Sequence, residues 1–295
     1  MDEVGVMVSH IDQRGGFLRI IPIGGLDPWT LLDKELVFMG GKNSDIVGVV
    51  GVDPPHLRKE KPPSRFEELY VDAGFSSRDE VLKSGVMPGT PGTFVGNFRQ
   101  RGGSVAIGKA FDNRVGCTVL IDTLRDIRNK VSGDVSLYFS WNTQEEVGLR
   151  GGINAVVHQV NPHMAFIVET TVAADVPTSS EDVWITRIGG GAALRAYDRS
   201  MIANPRLLSA AIELAESNNV KYQVQVNPYG GTDAGGIVHT YGTGVPSLVI
   251  STPARYIHSP ASLINVEDLR QVENLLRTLL LNLDLIRNKA LISEK

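Results

Sequence analysis

GKAFDNRVGCTVLIDTLRDIRNK, residues 108–130, is where the 295-residue chain changes character. From Arg114 onward, Val115, Val119, Leu120, Leu124 and Ile127 recur at helical spacing, so an amphipathic helix is predicted over Arg114–Lys130. Ahead of it, from about Gly5 to Phe98, short β-rich runs recur: VGVMVSHI, GFLRIIPIG, KELVFMG, DIVGVVGV, EELYVDAG and GTFVGNF. Gly, Pro and Asp turns separate these runs, which predicts a small all-β barrel or sandwich. One short helix is expected at Ser77–Lys83, opened by a serine and followed by Gly85. Pro54–Glu68 is too rich in proline and charge for a core element and is expected to be an exposed loop.

Behind the dividing stretch, strand and helix patterns alternate. Val135–Trp141, Ala165–Val168, Tyr222–Val226 and Pro246–Ile250 read as strands, and Asn154–Gln159 as a short helix. Asn204 caps a helix with Pro205 at its first position, and Leu207, Ala211, Leu214 and Ala215 form its apolar stripe. Asn265 caps the last long helix; Glu267 and Asp268 suit its positive end, and Leu269, Val272, Leu275, Leu276, Leu279 and Leu283 line one face. The alternation predicts an α/β unit with a mixed, largely parallel sheet flanked by helices. Strands that such a sheet would carry ahead of the β-rich unit are missing from the front.

Composition narrows the functional classes. With 42% hydrophobic and 21% charged residues, the chain is ordinary globular material, which excludes disordered, collagen-like and coiled-coil readings. The charges nearly balance (29 basic, 33 acidic), so neither a nucleic acid nor a membrane surface is an expected partner. Cys117 is the only cysteine, so neither an intrachain disulfide nor a zinc–thiolate cluster can form. No apolar run approaches the roughly 20 residues needed to cross a bilayer. The opening MDEVGVMVSH lacks the basic start and apolar core of a signal peptide, so a soluble cytoplasmic protein is expected.

Thr143-Gln144-Glu145-Glu146-Val147-Gly148 carries the strongest chemical signal, because it follows a predicted strand. Catalytic groups of open α/β sheets gather beyond the carboxyl ends of strands. Two adjacent glutamates there suit a division in which one binds a metal and the other takes a proton; a solvated acidic turn is the plain alternative. Asp112, at the junction into the predicted helix, could simply cap it. Glu169 ends a predicted strand and His258 follows another, and each has an ordinary structural reading. Together they weigh more, since the fold would bring them to one edge. Carboxylate and imidazole donors without thiolate suit Zn²⁺, Co²⁺ or Mn²⁺ in a catalytic site. Two metals sharing a carboxylate would generate a hydroxide near neutral pH, which points to metal-assisted hydrolysis. Gly189-Gly190-Gly191 lacks a phosphate loop's lysine and serine and reads as a turn. Gly230–Gly236 is flexible backbone that could approach a substrate or merely turn. No Gly-x-Ser-x-Gly elbow occurs and Cys117 lies inside a predicted helix, so no covalent nucleophile is expected.

The motifs HIDQRGGFLRIIPIGG, PPHLRKE, ELYVDAG, GKAFDNRVG, TQEEVGLRGG, VETTVAADVP, GGTDAGG and ARYIHS, in this order, resemble the tetrahedral aminopeptidases. These dinuclear metallopeptidases are also labelled glutamyl aminopeptidase, deblocking aminopeptidase or endoglucanase M. The resemblance runs from Met1 to the final helix. It implies a peptidase domain over residues 1–5 and 99–295, interrupted by a β-rich dimerisation domain over residues 6–98. By the same resemblance Asp112 bridges two divalent ions, Glu146 and His258 complete the first site, Glu169 serves the second, and Glu145 is the general base. The family often has aspartate where this chain has Glu169. Within the Gly-rich stretch, Gly231, Thr232 and Asp233 are the candidate substrate-binding residues. Short peptides are the implied substrates, and dimers building a dodecamer the implied assembly; residue preference is not determined.

One departure stands out. The family opens its second metal site with His-x-Asp, and Met1-Asp2 supplies only the last two positions, with Asp2 matching the carboxylate that orients the histidine. Two readings follow: the working protein carries the histidine upstream of Met1, or the chain is a truncated paralogue with an impaired second site that serves as an assembly subunit. The first is favoured, because losing central strands would expose sheet edges. A glycoside hydrolase is disfavoured, since the neighbours Glu145 and Glu146 cannot easily flank a sugar bond at the roughly 5–9.5 Å separation that chemistry needs.

Overall fold

The computed structural model describes residues 3–40, 45–57, 63–131, 135–148, 152–240 and 244–290. The β-rich runs close into a barrel of six strands: β1 (Gly5–Ile11), β2 (Leu18–Ile23), β3 (Glu35–Phe38), β4 (Ile46–Val50), β5 (Val71–Asp72) and β6 (Pro91–Phe94). Their order around the barrel is β1-β2-β5-β4-β3-β6, and β6 pairs back onto β1. Closure removes the free edges a small sheet would otherwise expose. Inward residues such as Val6, Leu18, Leu36, Phe38, Val71 and Phe94 form a core of their own. Helix α1 (Pro28–Leu31) was not expected, although Asp27 before Pro28 is a legible cap: its side chain accepts from Trp29 N. Helix α2 (Arg78–Ser84) matches its prediction, with Ser77 accepting from Glu80 N and Gly85 left-handed at φ 102°. In the predicted loop Pro54–Glu68, Phe66–Glu68 form a 3₁₀ turn, while 58–62 lie outside the described residues.

The remaining strands are β7 (Arg99–Arg101), β8 (Val105–Gly108), β9 (Ala165–Val172), β10 (Ala192–Asp198), β11 (Tyr222–Asn227), β12 (Ser247–Arg255) and β13 (Ser262–Asn265). They form a seven-stranded mixed sheet in which β12 is the hub, pairing with β9, β10 and β13. The two longest ladders, β9–β12 and β10–β11, are parallel, and those joining β7, β8, β13 and β10 to their neighbours in the centre are antiparallel. Helices α3 (Phe111–Ile127), α4 (Gly152–Val160), α5 (Pro205–Ser217), α6 (Ala234–Val238), α7 (Val266–Leu281) and α8 (Leu283–Ala290) flank it. Val119, Val157, Leu207, Leu275 and Leu279 bring four of these helices into one core with Leu194, Leu248 and Ile250 of the sheet. Among the described residues no helix is long and apolar enough to cross a membrane.

One predicted strand does not form. Val135–Trp141 has β-favouring residues but no paired backbone; Leu137 and Phe139 pack partly against the core while Tyr138 stays exposed. A strand is defined by its ladder, and no described neighbour supplies one; β9 is likewise paired on its β12 side alone among the described residues. Conversely, β7, β8, β10 and β13 escaped the sequence reading, being short or interrupted by charge.

Candidate metal centre and active-site cavity

Each candidate ligand is held by its own local device. Asp112 lies where β8 turns into α3, and its two neighbours tie it to β9. Asn113 Nδ2 donates to Val168 O at 2.8 Å, and Thr170 Oγ1 donates to Phe111 O at 3.0 Å. Ala110 is left-handed (φ 56°), the Asp112–Asn113 peptide is cis, and regular helix begins only after Asn113. The chain therefore presents Asp112 from a kink that β9 clamps, and β9 itself carries Glu169.

His258 follows β12 with a left-handed backbone (φ 57°). Its Nδ1 lies 2.8 Å from the carbonyl of Gly25, in the loop after barrel strand β2. A carbonyl only accepts, so Nδ1 carries the proton and Nε2 is the atom turned to the carboxylates. Nε2 is 3.2 Å from Asp112 Oδ2 and 3.6 Å from Glu146 Oε2. Without a cation, its hydrogen bond to Asp112 and the nearby Glu146 push the His258 pKa up to about 9, against the opposing effect of burial. Glu146 is hemmed in by the same barrel loop. A Cβ on Gly24 (φ +81°) would sit 2.8 Å from Val4 Cγ1 and 3.1 Å from Glu146 Oε2. Neither the conformation nor the space allows another residue.

One donor atom each from Asp112, Glu146 and His258 falls within 4.8 Å of the others, compatible with a single divalent cation. Oxygen, oxygen and nitrogen donors with a backbone carbonyl fixing the imidazole match the chemistry of such a centre. Glu169 adds a buried carboxylate, 7% exposed, on the adjoining strand. Burial first, then the negative Asp112 and Glu145, drive its pKa well up; Arg195 and the Thr170 N–H oppose them. An anionic cluster under that strain calls for a cation.

The cluster opens into a cavity of about 720 Å³ that Glu145 also lines. Gly230, Gly231 and Thr232 line the same cavity. Asp233 is 8% exposed, accepts from Asn142 Nδ2 at 2.9 Å and lines a second cavity of about 630 Å³ that Glu145 and Glu169 also border. Asp2 lies outside the described residues.

Sequence reading missed two contributors. Gly24-Gly25 sits inside a quoted motif, yet nothing in a glycine pair reveals that its carbonyl meets a histidine 233 positions later. Arg195 is 2% exposed and pairs with the buried Asp198 at 2.9 Å. A charged residue within the apolar run Ala192–Ala196 was the available signal.

Carboxylates and an imidazole gathered at the edge of a mixed α/β sheet, beside a further glutamate in a cavity, define a metal-dependent hydrolase. The chain belongs to the M42 glutamyl aminopeptidase family, whose profile matches residues 1–275, and is a metalloaminopeptidase. A relative from Acetivibrio thermocellus is 36% identical over 276 residues, spanning 94% of this chain and 79% of the relative. The glutamyl aminopeptidase of Lactococcus lactis and the lysyl aminopeptidase of Pyrococcus furiosus are 33% and 32% identical, over 96% and 95% of this chain and 79% of each relative. Among solved structures, an aminopeptidase from Desulfurococcus kamchatkensis superposes with TM-score 0.91 at 34% identity, over 100% of this chain and 81% of that one. The TET1 peptidase of Pyrococcus horikoshii, which assembles into a tetrahedron or an octahedral shell, gives TM-score 0.82 at 28% identity, over 95% and 81%.

Proposed function

We propose that this protein releases N-terminal residues from short peptides with two divalent cations, Zn²⁺ or Co²⁺ with Mn²⁺ as a further possibility, and Glu145 as general base. The observation that carries the reading is the Asp112–Glu146–His258 triad, whose imidazole is locked by Gly25 O with Nε2 turned inward. These three residues would hold the first cation. Asp112 and Glu169 would hold the second. Bound there, the cations supply Lewis acidity that polarises a scissile carbonyl and acidifies water. Glu145 accepts the proton of the attacking water and returns it to the leaving amine. Gly231 and Thr232 approach the substrate, and Asp233 steadies their loop from behind through Asn142.

The domain division at residues 98 and 99, with residues 1–5 joined to the peptidase unit, belongs to the same proposal. So does pairing of two barrels into dimers that build a dodecamer. Exposed Val47 and Val49 on β4, with Met39 beside β3, supply apolar surface for that contact.

The test is metal content and peptide hydrolysis on the 295-residue chain. Two ions per chain and rapid cleavage of a free peptide, with its N-acetylated form cut far more slowly, are expected. Equal turnover of the two would remove the aminopeptidase reading, and a single bound ion would remove the dinuclear one.

A further inference from the structure

The cavity has two unlike walls. At one end stand Asp112, Glu145, Glu146, Glu169 and His258. At the other, Val172 and Ala174 leave the end of β9, and Val183 and Ile185 run beside them. That second segment is held in place by the backbone, with a parallel bridge between Ala173 and Thr186 and a 3.1 Å bond from Ala174 N to Thr186 O. Val172 lies three residues beyond Glu169, about 10 Å along the strand at ~3.3 Å per residue. Val183 remains 60% exposed and Tyr229 80% exposed although both line the cavity. Large apolar side chains left bare at a cavity mouth mark a place where something apolar docks.

Charge argues the same way. Among the described lining residues, Arg195 is the one charged group besides the metal-site cluster. It is committed: Nη1 bonds Asp198 Oδ2 at 2.9 Å and Nη2 lies 3.5 Å from Thr171 Oγ1, while Asp198 Oδ1 accepts from Ser200 N, Ser200 Oγ and Met201 N. Arg195 Nε is buried without a partner, but a substrate carboxylate drawn to it would crowd the Glu169 carboxylate that already feels Arg195. A lysyl ammonium fares no better at the far wall. Asp175, next to Ala174, is already gripped by Arg255 through bonds of 3.0 and 2.6 Å, and the exposed Asp182, next to Val183, does not line the cavity.

We propose that this cavity selects peptides whose N-terminal residue carries an uncharged apolar side chain of leucine or methionine size, seated on Val172, Ala174, Val183 and Ile185. The inference rests on the aminopeptidase reading and departs from the glutamyl and lysyl labels of two relatives. A hydrophobic pocket discriminates by methylene count, roughly tenfold or more per group, whereas a charged side chain entering it loses its water without gaining a partner.

The experiment compares kcat/KM for leucyl, alanyl, glutamyl and lysyl p-nitroanilides on the metal-loaded full chain. Calorimetric Kd values for free L-leucine, L-glutamate and L-lysine are measured beside it. Leucyl substrate is expected to exceed alanyl by about tenfold or more, and both charged substrates by a wider margin. Ile185→Lys should move the preference toward glutamyl, and Ile185→Asp toward lysyl. A wild-type preference for glutamyl or lysyl substrate overturns the inference and leaves the aminopeptidase reading standing. Should no substrate be cleaved, the aminopeptidase reading fails and the Kd series decides: tighter leucine binding upholds the apolar pocket, while equal or absent binding overturns it.

Discussion

The barrel and the mixed sheet solve the same problem, burying β-strands, in opposite ways. The barrel closes on itself through the β1–β6 ladder and fills its interior with its own residues. The sheet is covered by helices; the turns after β8 and β12 bring Asp112 and His258, and β9 itself carries Glu169, to one cavity. Closure yields a unit whose chemistry is confined to its loops, whereas an open sheet leaves strand ends free to carry ligands. Yet the two are not divided by function. The barrel's Gly24-Gly25 turn packs on Glu146 and accepts from His258, so the unit expected to serve dimerisation also shapes the metal centre.

Mutations can break or sharpen this contrast. The largest effect is expected in the sheet: Glu145→Gln should lower kcat by about 10²–10⁴-fold while leaving metal content unchanged. Metal loss in that variant would recast Glu145 as a ligand. Next come paired core lesions. Asp198→Ala strands the buried Arg195 and should cost about 3–5 kcal/mol; Phe38→Ala, emptying a fully buried site in the barrel, should cost a similar ~3–5 kcal/mol. With separate cores, each should shift a different calorimetric transition. A single transition moved equally by both would make barrel and sheet one cooperative unit.

Gly24→Ala tests the shared turn. A methyl group pressed onto Val4 and Glu146 should weaken metal binding by about 10–100-fold, the usual cost of disturbing what orients a ligand. Unchanged metal affinity would return the barrel to a purely structural role. Smallest is Asn204→Ala, which removes the cap that accepts from Arg206 N and Leu207 N. It should cost about 1 kcal/mol in chemical denaturation and leave catalysis alone.

Much of this site was legible in the chain. Asp112 and His258 stand at junctions that turn and strand patterns mark, Glu146 follows a predicted strand that does not form, and one donor atom from each of the three lies within 4.8 Å of the others. Gly231 and Thr232 line the cavity, while Asp233, one residue on, lines the neighbouring cavity that shares Glu145 and Glu169 with it. Facing within a tight turn depends on dihedral angles that residue type leaves open. Val135–Trp141 failed for a different reason: β-propensity describes a side chain's fit to a pleated surface, and it creates no ladder without a neighbouring backbone.

By itself the sequence determined the texture of the two regions and the helix caps and supplied candidate metal donors, because periodicity, capping and donor chemistry are local properties. Tertiary structure alone decided that Gly25 O locks His258, that Arg195 is spent on Asp198, and that an apolar wall faces the carboxylates. Gly25 and His258 lie 233 positions apart and meet only where the barrel packs on the sheet; Arg195 and Asp198, three apart on β10, are paired by a burial that residue type alone does not specify, and the apolar wall forms where Ala173 bridges Thr186.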